Sequence, residues 1–242
     1  MRSTTPLAFA VAILALGTSS VVGAAPERTA RSPRPGRMPV LAKALPPPAT
    51  ASLAAATPRA RESVKSWAES LRAVEVSNRN TGARAKIRLY DDGGALDEES
   101  AHAFMRVASS EKGREEPLPT RLVQLAVRAS YHFGGAPIVI VSATRAGARG
   151  KHGSGEALDF SLEGVKAAVL ANHLFSLARS GVGLYTHPKT QYVHLDVRDR
   201  STHWLDGSPP GVTWREKLLA DPKQAARDAA WASAADLPEA AR

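Results

Sequence analysis

The composition of the chain breaks near residue 60, and the break confines any packed core to the C-terminal side of it. From Pro26 to about Ala60 the sequence is mostly Pro, Ala and Arg, as in Arg31-Ser-Pro-Arg-Pro-Gly-Arg37 and Leu45-Pro-Pro-Pro-Ala-Thr50. Large apolar side chains are too few there to offset the entropy of ordering, and proline holds the backbone extended. Residues 26–60 therefore read as a disordered linker. Ahead of it, Arg2 is followed by the apolar run Leu7–Leu16, then Gly17-Thr-Ser-Ser20 and Val21-Val-Gly-Ala-Ala25. That order is the three-part pattern of a secretion signal, with cleavage expected after Ala24 or Ala25. The run is too short for a spanning helix. The expected mature protein is exported to the periplasm or cell envelope, with no stable membrane insertion.

Charge follows the same division. The 242 residues carry 32 Lys+Arg against 23 Asp+Glu, a net +9. The first sixty residues hold seven basic groups and Glu27 alone, so +6 lies there and only +3 in the remainder. Nucleic-acid binding needs basic residues clustered with aromatics in the folded part, and that is absent; no nucleic-acid partner is expected. The chain has no cysteine. Disulfides, thiolate nucleophiles and Cys-ligated metals are excluded, and a metal would have to sit on His and carboxylates.

From Arg61 onward the pattern is that of an α+β domain. A short helix over Arg61–Leu71 precedes two β-like runs, Ala73–Ser77 and Ala85–Tyr90, joined by the turn-prone Asn78-Arg-Asn-Thr-Gly82. Asp97-Glu-Glu-Ser100 opens a helix to about Ala108, with acids in its first turn. A second helix is expected over Thr120–Tyr131, with Leu122, Leu125, Ala126 and Ala129 on one face and Gly134-Gly135 at its end. Pro137-Ile-Val-Ile-Val-Ser142 reads as a buried strand. A strand over Ala157–Leu162, a helix over Val165–Arg179 and two strands flanking Thr186–Gln191 come next, the last being Tyr192–Val197. The folded domain is placed at 61–214, with an Ala-rich C-terminal tail at 215–242.

Three pieces in the second half carry chemistry: Ser142-Ala-Thr-Arg145, His152-Gly-Ser-Gly-Glu-Ala-Leu-Asp159, and Gly181-Val-Gly-Leu-Tyr185 with Tyr192-Val-His194-Leu-Asp196-Val-Arg198. Gly153 and Gly155 loosen the arch that lets His152 fold back over the strand bearing Asp159. Period-2 alternation puts His194 and Asp196 on one face of their strand. Two imidazoles and one carboxylate would leave a fourth tetrahedral position for water, as catalytic zinc requires. A His with an Asp seven residues later is common by chance, so no one piece decides. His102, His132 and His173 fall in helical segments without partner spacing and read as structural.

Together the pieces resemble the zinc D-Ala-D-Ala carboxypeptidases and dipeptidases, the family grouped with lysostaphin-type peptidases and the Hedgehog signalling domain. The likeness is greatest to its murein endopeptidase K (YcbK-like) branch. It is densest from Ser142 to Pro210, including Arg198-Asp-Arg-Ser-Thr-His-Trp204, and extends loosely back to Ala73–Tyr90. The resemblance implies a central, mainly antiparallel sheet with flanking helices, Zn²⁺ on His152, Asp159 and His194, and Arg145 as the group that binds substrate carboxylate or polarises the scissile carbonyl. Several members carry an acid or histidine three residues before the second zinc histidine. Here Gln191 stands there and cannot take a proton. Asp196 is the first candidate for general base, or alternatively for orienting His194; His187 and Glu156 are the others. The implied function is an exported zinc peptidase cutting peptidoglycan stem peptides or cross-links. The alternatives are a D-Ala-D-Ala carboxypeptidase and a zinc-containing wall-binding module without turnover.

Overall fold

The computed structural model describes residues 67–145, 147–212 and 217–241. The expected signal peptide and linker lie outside the described residues, as does most of the helix expected at Arg61–Leu71, of which residues 67–70 are helical.

One eight-stranded mixed sheet organises the domain, in the order β2-β1-β3-β4-β6-β5-β7-β8. β1 (Val74–Asn78) and β2 (Arg84–Ile87) form the expected hairpin, in register from Val74↔Ile87 to Ser77↔Arg84. Asn78 locks its turn: Oδ1 accepts the N–H groups of Asn80 and Thr81, while Nδ2 donates to the Val107 and Ser109 carbonyls. The turn is thereby tied to the end of the first helix. β2 stops short of the expected Tyr90, which instead bridges to Leu96 across a turn.

Helix α1 (Glu98–Ala108) starts where Asp97 accepts the Ser100 N–H at 2.9 Å, and Glu98 and Glu99 face the positive end of its dipole. Helix α2 (Thr120–His132) buries Leu122, Leu125, Ala126 and Ala129 completely, as its periodicity predicts. It ends where Gly134 and Gly135 take positive φ, 73° and 83°, and the Gly135 N–H caps the Ser130 carbonyl.

β3 (Ile138–Ser142) pairs parallel to β1 and antiparallel to β4 (Ala157–Leu162). Helix α3 (Ala167–Leu174) comes next and is shorter than the Val165–Arg179 expected from sequence. From Ser176 the bonds tighten to i→i+3, and the Ser176 hydroxyl donates to the same His173 carbonyl as its own N–H. Arg179 then turns to a φ of 51°, where the Asp228 carboxylate accepts its N–H at 2.6 Å. A distant side chain ends this segment, which no local pattern could announce.

β5 (Ser180–Tyr185) and β6 (Val193–Val197) are antiparallel, and β4 pairs with β6. Five of the seven strand pairings are antiparallel, so the sheet is mainly antiparallel as expected. Two strands are not anticipated by the sequence pattern. β7 (Thr202–Asp206) runs parallel to β5, and β8 (Lys217–Leu219) closes the edge against β7. The Ala-rich 215–242 segment thus contributes a strand and then helix α4 (Gln224–Ala229). It is anchored by two buried carboxylates: Asp228 on the Ser201 N–H and hydroxyl, and Asp236 on Arg121.

The helices cover one face of the sheet. Leu158, Phe160, Val182, Val193 and Leu195 point into that layer and pack with Phe104, Leu122, Leu125, Leu170 and Leu174. Burying each such side chain stabilises the fold by about 1.5–3 kcal/mol. Strand alternation sends Asp159, His194 and Asp196 to the opposite face.

Candidate metal centre

The centre is built on two neighbouring strands and one loop. In the β4–β6 ladder Asp159 lies directly opposite His194, and Ala157 opposite Asp196. His152 comes from the arch between β3 and β4, which folds back so that the Arg145 N–H donates to the His152 carbonyl at 2.9 Å. Gly155 takes a φ of 73°, the freedom the arch needs. Gly153 has a different use: a Cβ there would collide with the Ala148 carbonyl oxygen.

Three atoms converge. His152 Nε2 lies 3.1 Å from Asp159 Oδ1 and 3.1 Å from His194 Nδ1, and His194 Nδ1 lies 3.0 Å from Asp159 Oδ1. A tetrahedral ion with bonds of 2.0–2.1 Å separates its ligands by about 3.3 Å, so the spacing fits. The outer nitrogens are already used. His152 Nδ1 donates to the Ala143 carbonyl at 2.5 Å, and His194 Nε2 donates to Asp196 Oδ2 at 3.0 Å. Both imidazoles therefore present a bare lone pair inward, beside a carboxylate that only accepts. Three acceptors facing one point need a cation or a proton between them, and the donor set of two imidazoles and one carboxylate suits a divalent metal.

Electrostatics agree. Asp159 is completely buried; burial pushes its carboxyl up, but the hydrogen bonds of His152 and His194 outweigh this and bring it to about 2. In the metal-free protein His194 is pushed up to about 9: burial pulls it down, and the bonds to Asp159 and Asp196 win. Asp196 is also held at about 2, burial being overcome by His194 and Arg198.

The surroundings explain several small residues. Asp196 is gripped by Arg198 through both oxygens, with Nε at 2.6 Å from Oδ1 and Nη2 on Oδ2. Gly181, opposite Asp196, leaves room for this pair, since a Cβ there would strike both partners. Gly183, opposite His194, leaves room for the Trp204 indole, which lies 5.0 Å from the His194 ring. Trp204, on the unforeseen strand β7, is a site residue that sequence reasoning missed; the two glycines in Gly181-Val-Gly183 were the available sign that something large crosses there.

Arg145 stands at the mouth. Its Nη2 reaches Asp159 Oδ2 at 2.5 Å and its Nε donates to the Ser142 hydroxyl, yet half of the side chain is exposed. It enters a cleft of about 360 Å³ lined by Tyr185, Thr190, Tyr192, Asp206 and Ser208 among others. Burial, and then the Asp159 charge, raise both tyrosines above the ordinary phenol range, so both hydroxyls remain protonated. These tyrosines were also missed as site residues.

The remaining expected residues stand apart. Glu156 is bound by Lys151 and the Ser154 hydroxyl, and lines a separate cavity with Arg121 and Arg198. His187 lies in the loop after β5, where Nδ1 accepts the Lys189 N–H. Gln191 donates to the His187 carbonyl at 3.1 Å and so holds that loop. His132 and His173, read as structural, meet Glu239 in a second cluster of metal-ligating groups near the surface.

The family model described as peptidoglycan L,D-endopeptidase MepK matches residues 66–204. The peptidoglycan L,D-endopeptidase MepK of Escherichia coli strain K12 is 29% identical over 175 residues, covering 66% of this chain and 87% of that protein. The protein of the same name from Shigella flexneri matches to the same extent. No solved structure matches the chain.

Proposed function

Because the chain belongs to the peptidoglycan L,D-endopeptidase MepK family, a family of metal-dependent peptidases, we propose that it is an exported zinc peptidase that cuts peptide cross-links of peptidoglycan. The observation that carries this is the convergence of His152 Nε2, Asp159 Oδ1 and His194 Nδ1, with the outer nitrogen of each imidazole already donated. Those three residues are the proposed zinc ligands. Zinc held there supplies a water acidified to a pKa of about 7 and a Lewis acid for the scissile carbonyl.

The protein's own groups have separate tasks in this reading. Ala143 and Asp196 fix the tautomers of His152 and His194, and Trp204 closes the space beside His194. Asp196 has both oxygens engaged, by His194 and Arg198, on the far side of the imidazole; it is therefore assigned to orienting His194 rather than to proton transfer. Arg145, half-exposed at the cleft mouth, stabilises the oxyanion or binds a substrate carboxylate. Tyr185 and Tyr192, as neutral phenols, donate hydrogen bonds to peptide carbonyls in the cleft. Of the three base candidates, Glu156 is tied to Lys151 and Asp196 to Arg198. His187 keeps Nε2 without a partner among the described residues but stands in the loop after β5, apart from the three ligands, so no general base is assigned among them.

Residues 1–25 are proposed as the export signal and 26–60 as a linker to a domain beginning near residue 61. Among the described residues no helix is long and apolar enough to cross a membrane.

The test is digestion of purified cross-linked murein by the zinc-loaded full chain, with chromatographic analysis of the products. Release of monomeric muropeptides, abolished by a chelator and restored by Zn²⁺, is expected. Release of terminal D-alanine alone would make it a carboxypeptidase, and metal binding without product would leave a wall-binding module.

A further inference from the structure

A second cavity, of about 430 Å³, has cations from four separate segments in its walls: Arg121 from the first turn of α2, Lys151 from the arch before β4, Arg179 just ahead of β5 and Arg198 just after β6. Its acids are Glu156, held by Lys151 and the Ser154 hydroxyl, and the exposed Asp199. Three of the cations are already paired, Arg121 with Asp236, Lys151 with Glu156 and Arg198 with Asp196. Arg179 has no ion-pair partner among the described residues. Its Nε donates to the Asp228 carbonyl at 3.3 Å, while the Asp228 carboxylate is spent on the Arg179 backbone N–H and on Ser201. Both Nη atoms of Arg179, and Nη1 of Arg198, lack an acceptor among the described residues.

Arg179 is also held in place. Among the described residues it is the one non-glycine residue with a positive φ, 51°. A backbone in that region persists only where its surroundings enforce it, and such positions cluster where a side chain must be aimed. Here Asp228 accepts the Arg179 N–H, and Arg121 Nη1 donates to the Arg179 carbonyl at 2.6 Å. The guanidinium itself lies over the Trp231 ring, 4.6 Å from its centroid, with Arg121 stacked on the same ring at 4.9 Å. A fixed guanidinium with free donors binds an oxyanion at little ordering cost. A carboxylate, planar and with two oxygens, would be satisfied by the fork of one arginine. A phosphate has acceptors in several directions and more charge, which suits cations set around a cavity. We propose that this cavity is a binding site for a phosphate group, with Arg179 as its anchor and Arg198 and Lys151 as flanking cations. The proposal does not depend on the peptidase reading, since binding is measured without turnover. Inorganic phosphate and the head group of an anionic lipid share the chemistry, and the test separates them.

The test is calorimetry with inorganic phosphate on the full chain, both zinc-loaded and metal-free, because phosphate can also ligate zinc. A single phosphate per chain, with a Kd in the millimolar range or tighter, is expected in both forms. Acetate at the same ionic strength should bind at least roughly tenfold more weakly. Arg179→Gln removes the anchor's charge and should weaken phosphate by roughly tenfold or more, the order of a charge-assisted hydrogen bond, with murein hydrolysis unchanged. Lys151→Gln should weaken it by about threefold. No binding, binding that disappears with the zinc, equal affinity for acetate, or undiminished affinity in both variants would overturn the site. If R179Q failed to fold, K151Q and the acetate comparison would still decide. Sedimentation with phosphatidylglycerol vesicles assigns the source. Retention that inorganic phosphate competes away and R179Q loses identifies a lipid head group; phosphate binding without such retention identifies a free phosphate.

Discussion

Two clusters of two histidines and one carboxylate occur among the described residues, and they differ in burial and in the angle between their rings. In the first, the His152 and His194 rings meet nearly edge to face at 73°, so their in-plane lone pairs point to one place beside a buried Asp159. In the second, the His132 and His173 rings are stacked 3.8 Å apart and only 19° from parallel. An ion shared by stacked rings would lie well out of both ring planes. The first cluster stands on paired strands, and each outer nitrogen has a fixed acceptor. The second joins the C-terminal turns of α2 and α3 to Glu239, with His132 bonded to that exposed carboxylate at 2.8 Å. Residue identity and proximity are common to both; burial and ring angle separate them.

That contrast can be broken by mutation. His152→Ala or His194→Ala should abolish bound zinc after dialysis and lower murein hydrolysis at least a thousandfold, the order expected on losing a metal that activates water. His132→Ala should leave zinc stoichiometry and hydrolysis unchanged. Zinc lost from H132A and retained by H152A would invert the assignment.

Asp196→Asn is the next in size. If Asp196 orients His194, zinc affinity should fall about ten- to a hundredfold in chelator competition, while turnover at saturating zinc stays within a few-fold. A variant that binds zinc normally but does not turn over would make Asp196 the base.

Protons sharpen the comparison further. In the metal-free protein His194 is raised from 6.5 to about 9, so the folded state holds a proton that the unfolded chain releases. Its stabilisation is complete below about pH 6.5 and fades as pH rises through 9. Asp159 and Asp196, lowered from 3.8 to about 2, act in the opposite sense: their stabilisation is present above about pH 4 and fades as pH falls towards 2. Thermal melts of the metal-free protein should therefore peak between about pH 4 and 6.5. Zinc loading should remove the alkaline decline, because the ion takes the place of the proton. Calorimetry in buffers of different ionisation enthalpy should show about one proton released per zinc at pH 7, and none released would contradict the shared site. The smallest effect belongs to the second cluster: Glu239→Gln should change stability by less than about 1 kcal/mol in urea unfolding, as exposed ion pairs do.

Much of this was legible in the residues. The capped start of α1, the buried face of α2, strand β4 from Ala157 to Leu162 and the shared face of His194 and Asp196 all follow from local pattern. The early end of α3 was not legible, because it depends on Asp228, 49 residues beyond Arg179. Nor was β7, five residues whose partner β5 lies across a parallel, non-local pairing. Trp204 consequently could not be placed beside His194, nor Asp206 in the cleft with Arg145.

The sequence by itself limited the ligand chemistry: without cysteine, a metal could find only imidazole and carboxylate, and His152, Asp159 and His194 are the proposed set. It could not decide which histidines form a centre, since His132 and His173 are equally good ligands by type. Tertiary structure separates the two clusters, because coordination depends on where lone pairs point. Strand register and distant acceptors such as Ala143 and Asp196 fix that direction in the proposed centre, and neither is written in His152, Asp159 and His194 themselves.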